Sequence, residues 1–139
     1  MLAQEIPILF PTHPRTANRI REFGFEESFD FALQVRSLDF TNQLIHCLPP
    51  LGYFDFLCLT SNASLVLTDS GGIQEETTVL GVPCVTLREN TERPVTVSSG
   101  TNVLAGTRRE DILRFAREKL TESPKGSVPK YWDGRAGAR

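Results

Sequence analysis

Residues 64–76 read SLVLTDSGGIQEE, and this stretch decides the fold. Residues 65–67 form a short apolar run that is typical of a strand buried on both faces. A polar, glycine-containing segment breaks the run, and residues 73–80 can form a helix that stops at Gly81. The stretch therefore predicts a strand, a tight turn and a helix start in direct succession.

The turn after this strand suits an anionic ligand. Gly71 and Gly72 lack a Cβ, so a ligand can come close to their backbone. The first N–H groups of a helix have no partner within the helix, and this geometry favours an anion, most often a phosphate. Glu76 lies about one helical turn beyond Gly72, where its carboxylate can accept hydrogen bonds from a sugar hydroxyl. The pattern predicts a site for a phosphorylated, ribose-bearing ligand, although Ser-Gly-Gly turns also join strands to helices in proteins without ligands.

The composition is that of an ordinary globular protein. Of the 139 residues, 40% are hydrophobic and 23% are charged, which suits one domain with its own core. A net charge of -2 argues against a dedicated nucleic-acid-binding domain, and no apolar run is long enough to cross a membrane. The cysteines Cys47, Cys58 and Cys84 have no metal-ligand or disulfide spacing and are interpreted as reduced. We therefore expect a cytoplasmic protein with no metal, no cofactor, no nucleic-acid partner and no membrane contact.

Strands alternate with helices along the chain. The expected strands are residues 6–10, 43–48, 65–67, 83–87 and 102–104. The expected helices are one that stops at Gly24, followed by residues 53–61, 73–80, 94–100 and 110–121. Residues 25–39 fit neither period and are predicted to be a loop with a short helix. The order predicts an α/β fold, a Rossmann-like open parallel sheet with helices on both faces and ligands at the carboxyl ends of its strands.

Several side chains are assigned structural roles. Asp69 can cap the helix that follows it or bind on the substrate side, and capping is the favoured interpretation; Glu75 is expected to be a solvated charge on that helix. Asn62 is expected to close the helix before it in a left-handed conformation. His46 lies inside an apolar strand and is interpreted as a core or edge histidine with satisfied hydrogen bonds. The expected buried residues of the first helix are Ile20 and Phe23.

Short segments spread along the chain carry a resemblance to a known family. The segments are residues 11–15 (PTHPR), 51–56 (LGYFDF), 68–76 (TDSGGIQEE), 80–83 (LGVP), 87–88 (LR), 91–94 (TERP), 100–101 (GT) and 132–136 (WDGRA). Together they resemble the C-terminal domain of the non-hydrolysing UDP-N-acetylglucosamine 2-epimerases, over nearly the whole chain apart from residues 25–41. The resemblance implies one half of a GT-B-like two-domain architecture. In it, residues 1–122 would be a UDP-binding Rossmann-like domain, incomplete at both ends, and residues 123–139 a loose tail before a missing last helix.

The resemblance also implies an activity. Members of the family interconvert UDP-GlcNAc and UDP-ManNAc by eliminating UDP across the C1–C2 bond and adding it back with inverted C2 stereochemistry. Carried over position by position, Ser70, Gly71 and Gly72 would bind the diphosphate, and Glu76 would bind the ribose hydroxyls. Arg93 would contact the nucleotide, because a planar guanidinium suits the phosphate charge that grows as UDP leaves. The implied partner is a UDP-sugar, and the implied enzyme class is an isomerase.

Further positions are carried over from the resemblance. Phe56 matches a residue whose backbone contacts the uracil, although Leu51 stands where some members have a glutamine that helps to hold the nucleotide. His13 lies in a segment that borders a second, regulatory UDP-GlcNAc site in bacterial members, and a simple turn is the favoured interpretation here. The family's acid/base carboxylates and a further catalytic histidine match no segment, so the resemblance implies no catalytic residue in this chain and no activity alone. Full-length members are implied to be homodimers.

Two other functions stay open at this point. The chain could be a non-catalytic UDP-sugar-binding or regulatory module. It could also be the C-terminal domain of a GT-B nucleotide-sugar glycosyltransferase, which places a diphosphate on a helix start in the same way. Residues 91–94 favour the epimerase over the transferase.

Overall fold

The structure is a computed structural model that describes residues 2–31, 41, 44–122 and 127–138. It divides into two units, Met1–Phe56 and Leu57–Arg139. Within the described residues each unit contains a three-stranded parallel sheet, and helices alternate with the strands. The predicted α/β class with parallel strands is confirmed, and its hydrogen-bonded ladders form two three-stranded sheets.

The sheet of the first unit has its last strand in the middle. β3 pairs in parallel with both β1 and β2, and Ile45 of β3 stands opposite Ile8 on one side and Phe29 on the other. Most of β3 is buried, as expected for a strand with neighbours on both edges. The elements of this unit are a 3-10 helix (Leu2–Gln4), β1 (Ile8–Pro11), α1 (Pro14–Glu22), a 3-10 helix (Glu26–Ser28), β2 (Phe29–Phe31) and β3 (Ile45–Leu48).

The sequence does not predict β2. The expectation of a loop with a short helix over residues 25–39 is wrong at Phe29–Phe31, and residues 32–39 lie outside the described residues. In the middle of β2, Asp30 Oδ2 lies 3.1 Å from His46 Nδ1 on the neighbouring strand. His46 is buried, and this contact confirms its interpretation as a core histidine with a hydrogen-bond partner.

The first two long helices keep most of their predicted features. α1 begins with Pro14 in its first turn and gives way to Gly24, whose φ is +70°. Ile20 is buried as predicted, but Phe23 is 66% exposed, so its predicted burial is wrong. α2 (Tyr53–Ser61) has its predicted bounds. Asn62 does not have the predicted left-handed backbone; instead its Nδ2 donates to the Cys58 carbonyl at 2.8 Å.

The second unit contains the strand, turn and helix of the opening stretch. Its sheet has the order β4-β5-β6, and the central strand β5 is buried along its whole length. α3 begins two residues earlier than predicted, and it ends at Gly81, whose φ is +71°. Both α3 and α5 pack against β5. The elements are β4 (Val66–Thr68), α3 (Gly71–Leu80), β5 (Cys84–Thr86), α4 (Pro94–Ser98), β6 (Asn102–Leu104), α5 (Arg109–Thr121) and a 3-10 helix (Ala136–Ala138).

The C-terminal described residues contact other parts of the second unit, to which they belong. The Ser127 N–H group donates to the Ser99 carbonyl at 2.9 Å, and Pro129 is buried. Among the helices that the structure describes, none is both long and apolar enough to cross a membrane.

The three cysteines differ in access to solvent, and this gives a test of the fold. Cys47 and Cys84 are buried, and burial raises the pKa of each thiol, whereas Cys58 is exposed. Because the thiolate is the reactive form, we expect a thiol reagent at pH 8 to label Cys58 quickly and the other two only after unfolding. Spectrophotometric titration with and without denaturant measures this. Loss of the fast phase in Cys58→Ser would identify it, and more than one fast thiol in the native chain would contradict the fold.

Candidate functional site

Two residues join strand β4 to helix α3 at the carboxyl end of the strand. Ser70 is the N-cap residue of α3, with φ -83° and ψ 128°, and its side chain makes no capping hydrogen bond. Its N–H group donates to Thr68 Oγ1 at 3.1 Å, which fixes the turn. The prediction that Asp69 caps the helix is wrong, because Ser70 occupies the N-cap position. The N-cap side chain thus leaves the first N–H groups of α3 available, which is the arrangement that stabilises an anion.

Gly71 and Gly72 form the first turn of α3 and leave open space beside it. A Cβ on Gly72 would have Ser70 Oγ, at 3.9 Å, as its nearest neighbour, and one on Gly71 would lie 3.9 Å from Arg93 Cγ. Neither glycine has the positive φ that favours this residue type, and neither is required by packing within the described residues. The room they leave suits a ligand that approaches the backbone.

The side chain of Arg93 lies next to this turn. Its Nε is 3.0 Å from Glu75 Oε1, and the two side chains are 46% and 39% exposed. Water screens a pair of this exposure, which contributes at most about 1 kcal/mol. Glu75 is exposed to solvent in part, as predicted, and in addition it pairs with Arg93, which the sequence does not predict. With Nε engaged, the other N–H groups of the guanidinium can bind an anion.

Glu76 carries a buried oxygen that lacks a hydrogen-bond partner. Its side chain is partly buried, and Oε2 receives no hydrogen bond from the described residues. Leaving a buried acceptor unsatisfied costs about 1–3 kcal/mol, and more when the group is charged. A hydroxyl group of a bound ligand would supply the missing donor. This oxygen lies in the same helix as the open turn, at the position where the sequence predicts a sugar-binding carboxylate.

The other two predicted residues belong to the first unit. The Phe56 N–H group donates to the Gly52 carbonyl at 2.9 Å and is therefore already engaged in the first turn of α2. His13 is the N-cap residue of α1, and its Nδ1 accepts a hydrogen bond from the Arg15 N–H group at 3.2 Å. This contact agrees with the interpretation of the segment around His13 as a turn. Of the predicted residues, Ser70, Gly71, Gly72 and Arg93 lie together at the start of α3, and Glu76 lies further along the same helix.

Sequence reasoning does not identify the groups that hold Arg93. Gln74 is fully buried, and its Oε1 accepts a hydrogen bond from Thr91 Oγ1 at 2.6 Å. A signal was present in the sequence, since residues 74, 77 and 78 fall on one face of a helix. A glutamine on the face that packs against the sheet must find hydrogen bonds inside the protein. Its partners, however, are distant in sequence.

The architecture and the site define a class of protein. Parallel strands that lead into helices, with an open glycine turn at a strand end, are typical of a Rossmann-like α/β protein. The residues that the structure describes contain no group of three or more His, Cys, Asp or Glu side chains that could hold a metal ion. The chain belongs to the UDP-N-acetylglucosamine 2-epimerase family, whose model matches residues 1–139. The predicted family is therefore confirmed, and with it an isomerase as the enzyme class of that family.

Curated relatives show the same match. The chain is 45% identical over 130 residues to the UDP-N-acetylglucosamine 2-epimerase of Methanococcus maripaludis, covering 94% of this chain and 32% of that protein. It is 42% identical over 132 residues to the enzyme of the same name from Methanocaldococcus jannaschii, covering 95% of this chain and 33% of the relative. The chain thus spans about a third of the length of these relatives.

Solved structures support the fold. The UDP-GlcNAc 2-epimerase from Methanocaldococcus jannaschii matches with a TM-score of 0.71 and 40% identity, over 89% of this chain and 33% of that one. The structure of the same enzyme in complex with UDP-GlcNAc and UDP matches with a TM-score of 0.70 and 39% identity, over 90% of this chain and 33% of that one. These structures have the GT-B-like architecture that the resemblance implies.

Proposed function

We propose that this chain is the UDP-binding part of a UDP-N-acetylglucosamine 2-epimerase. The observation that carries the proposal is the buried Oε2 of Glu76, which has no hydrogen-bond partner among the described residues and lies in the helix that opens with Gly71 and Gly72. A ligand with both hydroxyl donors and an anionic group would match this acceptor and the open helix N-terminus. A nucleoside diphosphate has both. The named relatives and a complex with UDP-GlcNAc and UDP agree with this ligand class.

In the proposed complex the diphosphate lies at the start of α3. The N–H groups of the glycine turn point toward the phosphate oxygens, and the positive end of the helix dipole adds to the attraction. Arg93 supplies the guanidinium N–H groups that Glu75 does not engage. Such charge-assisted bonds strengthen as negative charge builds on the leaving phosphate.

The proposed reaction uses these contacts in both of its steps, the elimination of UDP and its re-addition. Removal of the C2 proton and cleavage of the C1–O bond release UDP and leave a glycal, and addition of UDP with protonation from the other face gives the C2 epimer. The charge that this site stabilises is that of UDP while it is detached. We propose that the groups that move the C2 proton are contributed by sequence outside this chain and that the chain alone does not turn over.

Calorimetric titration of the purified chain tests the proposal. UDP should bind more tightly than UMP, which lacks the second phosphate, and more tightly than ADP, which lacks the uracil. A folded chain that binds none of the three would overturn the nucleotide site. Equal binding of ADP and UDP would leave a diphosphate site without uracil recognition and would contradict the assignment of UDP.

A mixing experiment tests the catalytic part of the proposal. The chain is combined with the N-terminal part of the Methanococcus maripaludis relative, and UDP-GlcNAc conversion is followed. Conversion that requires both pieces would support a role in the epimerase. UDP binding without any conversion would favour a non-catalytic UDP-sugar-binding module.

Glu76 should control recognition of the ribose. We expect Glu76→Ala to bind UDP about tenfold more weakly, because one or two hydrogen bonds to a charged acceptor are lost. The wild-type chain should prefer UDP over 2′-deoxy-UDP, and the variant should bind both equally. Glu118→Ala, which removes an exposed carboxylate from α5, is the matched control. A Glu76→Ala variant that still discriminates between the two nucleotides would contradict the role of Glu76.

A further inference from the structure

Two threonines hold the backbone of Arg93 on both sides. The Arg93 N–H group donates to Thr91 Oγ1 at 2.9 Å, and the Arg93 carbonyl accepts from Thr96 Oγ1 at 2.8 Å. Both polar groups of this peptide position are therefore bound by side chains, and Arg93 is the N-cap residue of α4. Such bonds fix the point from which the arginine side chain extends.

Each threonine is in turn bound to a buried amide. Thr91 Oγ1 donates to Gln74 Oε1 at 2.6 Å, and Thr96 Oγ1 accepts from Asn102 Nδ2 at 3.1 Å. The two amides are joined, because Asn102 Nδ2 also donates to Gln74 Oε1 at 3.2 Å. Thr86 Oγ1 donates to Asn102 Oδ1 at 2.7 Å and ties this residue to the central strand β5. The bonds form a closed ring from Arg93 through both threonines and both amides.

Burial gives this ring its rigidity. Gln74, Thr96 and Thr86 are fully buried, and Asn102 is nearly so. Hydrogen bonds in a low-dielectric interior are stronger than at the surface, and a satisfied buried network selects one arrangement of its members. Gln74 is satisfied only in part, because its Nε2 has no partner among the described residues. An apolar side chain of similar size would leave no unsatisfied donor at this position. The stabilising contribution of the Gln74 amide therefore comes from the hydrogen bonds that its Oε1 accepts.

We propose that Gln74, Asn102, Thr91 and Thr96 form a brace that positions Arg93 for a diphosphate at the start of α3. The inference rests on the proposed function and deepens it, because it assigns specificity for the diphosphate to residues that do not touch the ligand. Gln74 and Glu75 are consecutive in α3: the first holds the Arg93 backbone through Thr91, and the second holds the Arg93 side chain. Helix and arginine therefore present one preformed site, and binding does not have to order the loop.

Thr91 is a suitable position at which to test the brace. It is only partly buried and lies in a loop, so a substitution there should not unfold the chain. Thr91→Val removes the hydroxyl and keeps the shape, whereas Thr91→Ser keeps the hydroxyl and is the matched control. Thr91→Val removes both the bond to Gln74 and the bond from the Arg93 N–H group, so we expect it to weaken UDP binding about three- to tenfold and Thr91→Ser to restore most of the affinity. Gln74→Met removes the bond between Thr91 and Gln74 from the other end, together with the bond from Asn102, and should give a change of similar size in a chain that remains folded by circular dichroism.

A double-mutant cycle separates positioning from general stability. If Thr91 acts through the arginine side chain, Thr91→Val should have no further effect on UDP affinity in an Arg93→Ala background. An equal loss in both backgrounds, or unchanged affinity in Thr91→Val alone, would overturn the brace and leave the UDP site standing. A folded wild-type chain that does not bind UDP would instead overturn the proposed function, and the ligand role of the brace with it.

Discussion

An Arg93→Ala variant is expected to bind UDP about 10- to 100-fold more weakly than the wild-type chain while unfolding at nearly the same temperature. The affinity loss corresponds to about 1.4–2.7 kcal/mol, which is the range for losing charge-assisted hydrogen bonds to a phosphate. Stability should change little, because the side chain is 46% exposed and alanine keeps the backbone bonds to Thr91 and Thr96. Calorimetric titration and a thermal melt measure the two quantities.

Two further variants test whether the loss of affinity in Arg93→Ala is specific to this arginine. Arg109→Ala removes the same charge from the exposed start of α5 and should leave the affinity for UDP unchanged. In Arg93→Ala the Glu75 carboxylate loses its partner and repels the diphosphate, so Glu75→Ala added to Arg93→Ala should recover part of the affinity. An Arg93→Ala chain with wild-type affinity would contradict the assignment of Arg93 to the phosphates.

The strand, turn and helix around Gly71 could be predicted because their signals are local. An apolar run, two glycines and a stop at Gly81 lie within a short segment, and the structure contains β4, α3 and a left-handed Gly81 in that order. The first N–H groups of any helix have no partner within the helix. Glycine at these positions therefore gives up no intrahelical hydrogen bond, and the helix begins earlier than predicted. Helix periodicity alone does not reveal that extension.

Other elements depend on contacts that a local pattern does not contain. β2 has only three residues. Its central Asp30 is accommodated because its carboxylate has a partner in His46 on the neighbouring strand. Asn62 closes α2 with its side chain, an alternative to the left-handed backbone that the residue type equally allows. In each case the residue type permits two outcomes, and the surrounding fold selects one.

The candidate site divides in the same way. The assignment of the glycine turn and Glu76 to the site follows from the predicted helix start alone. The assignment of Arg93 to the site rests on the resemblance. The groups that hold Arg93 could not be predicted, because the bonds of Gln74 reach Thr91 and Asn102 over 17 and 28 residues of sequence. The ion pair of Glu75 cannot be predicted for the same reason, because only the return of the chain after β5 brings an arginine to this partly solvated glutamate.

Replacing Gly72 by valine is expected to reduce UDP affinity at least about 100-fold with little change in the melting temperature. A Cβ at this position has its nearest neighbour, Ser70 Oγ, at 3.9 Å, so the free chain accommodates the first atom of a side chain. Valine is no worse than glycine in a helix, and the free energy of unfolding should change by no more than about 0.5 kcal/mol. The branched side chain would nevertheless occupy the space through which the diphosphate reaches the N–H groups of α3.

A graded series distinguishes blocked access from a damaged turn. Gly72→Ala adds one methyl group and should give an intermediate loss of UDP affinity, whereas a backbone defect would not scale with side-chain size. Titration of each variant with UDP is compared with its thermal melt. A large fall in melting temperature with unaltered affinity would mean that Gly72 serves the turn alone, and the diphosphate would then have to bind elsewhere. Graded loss of affinity at constant stability identifies the open face of the first turn of α3 as the surface that the phosphates contact.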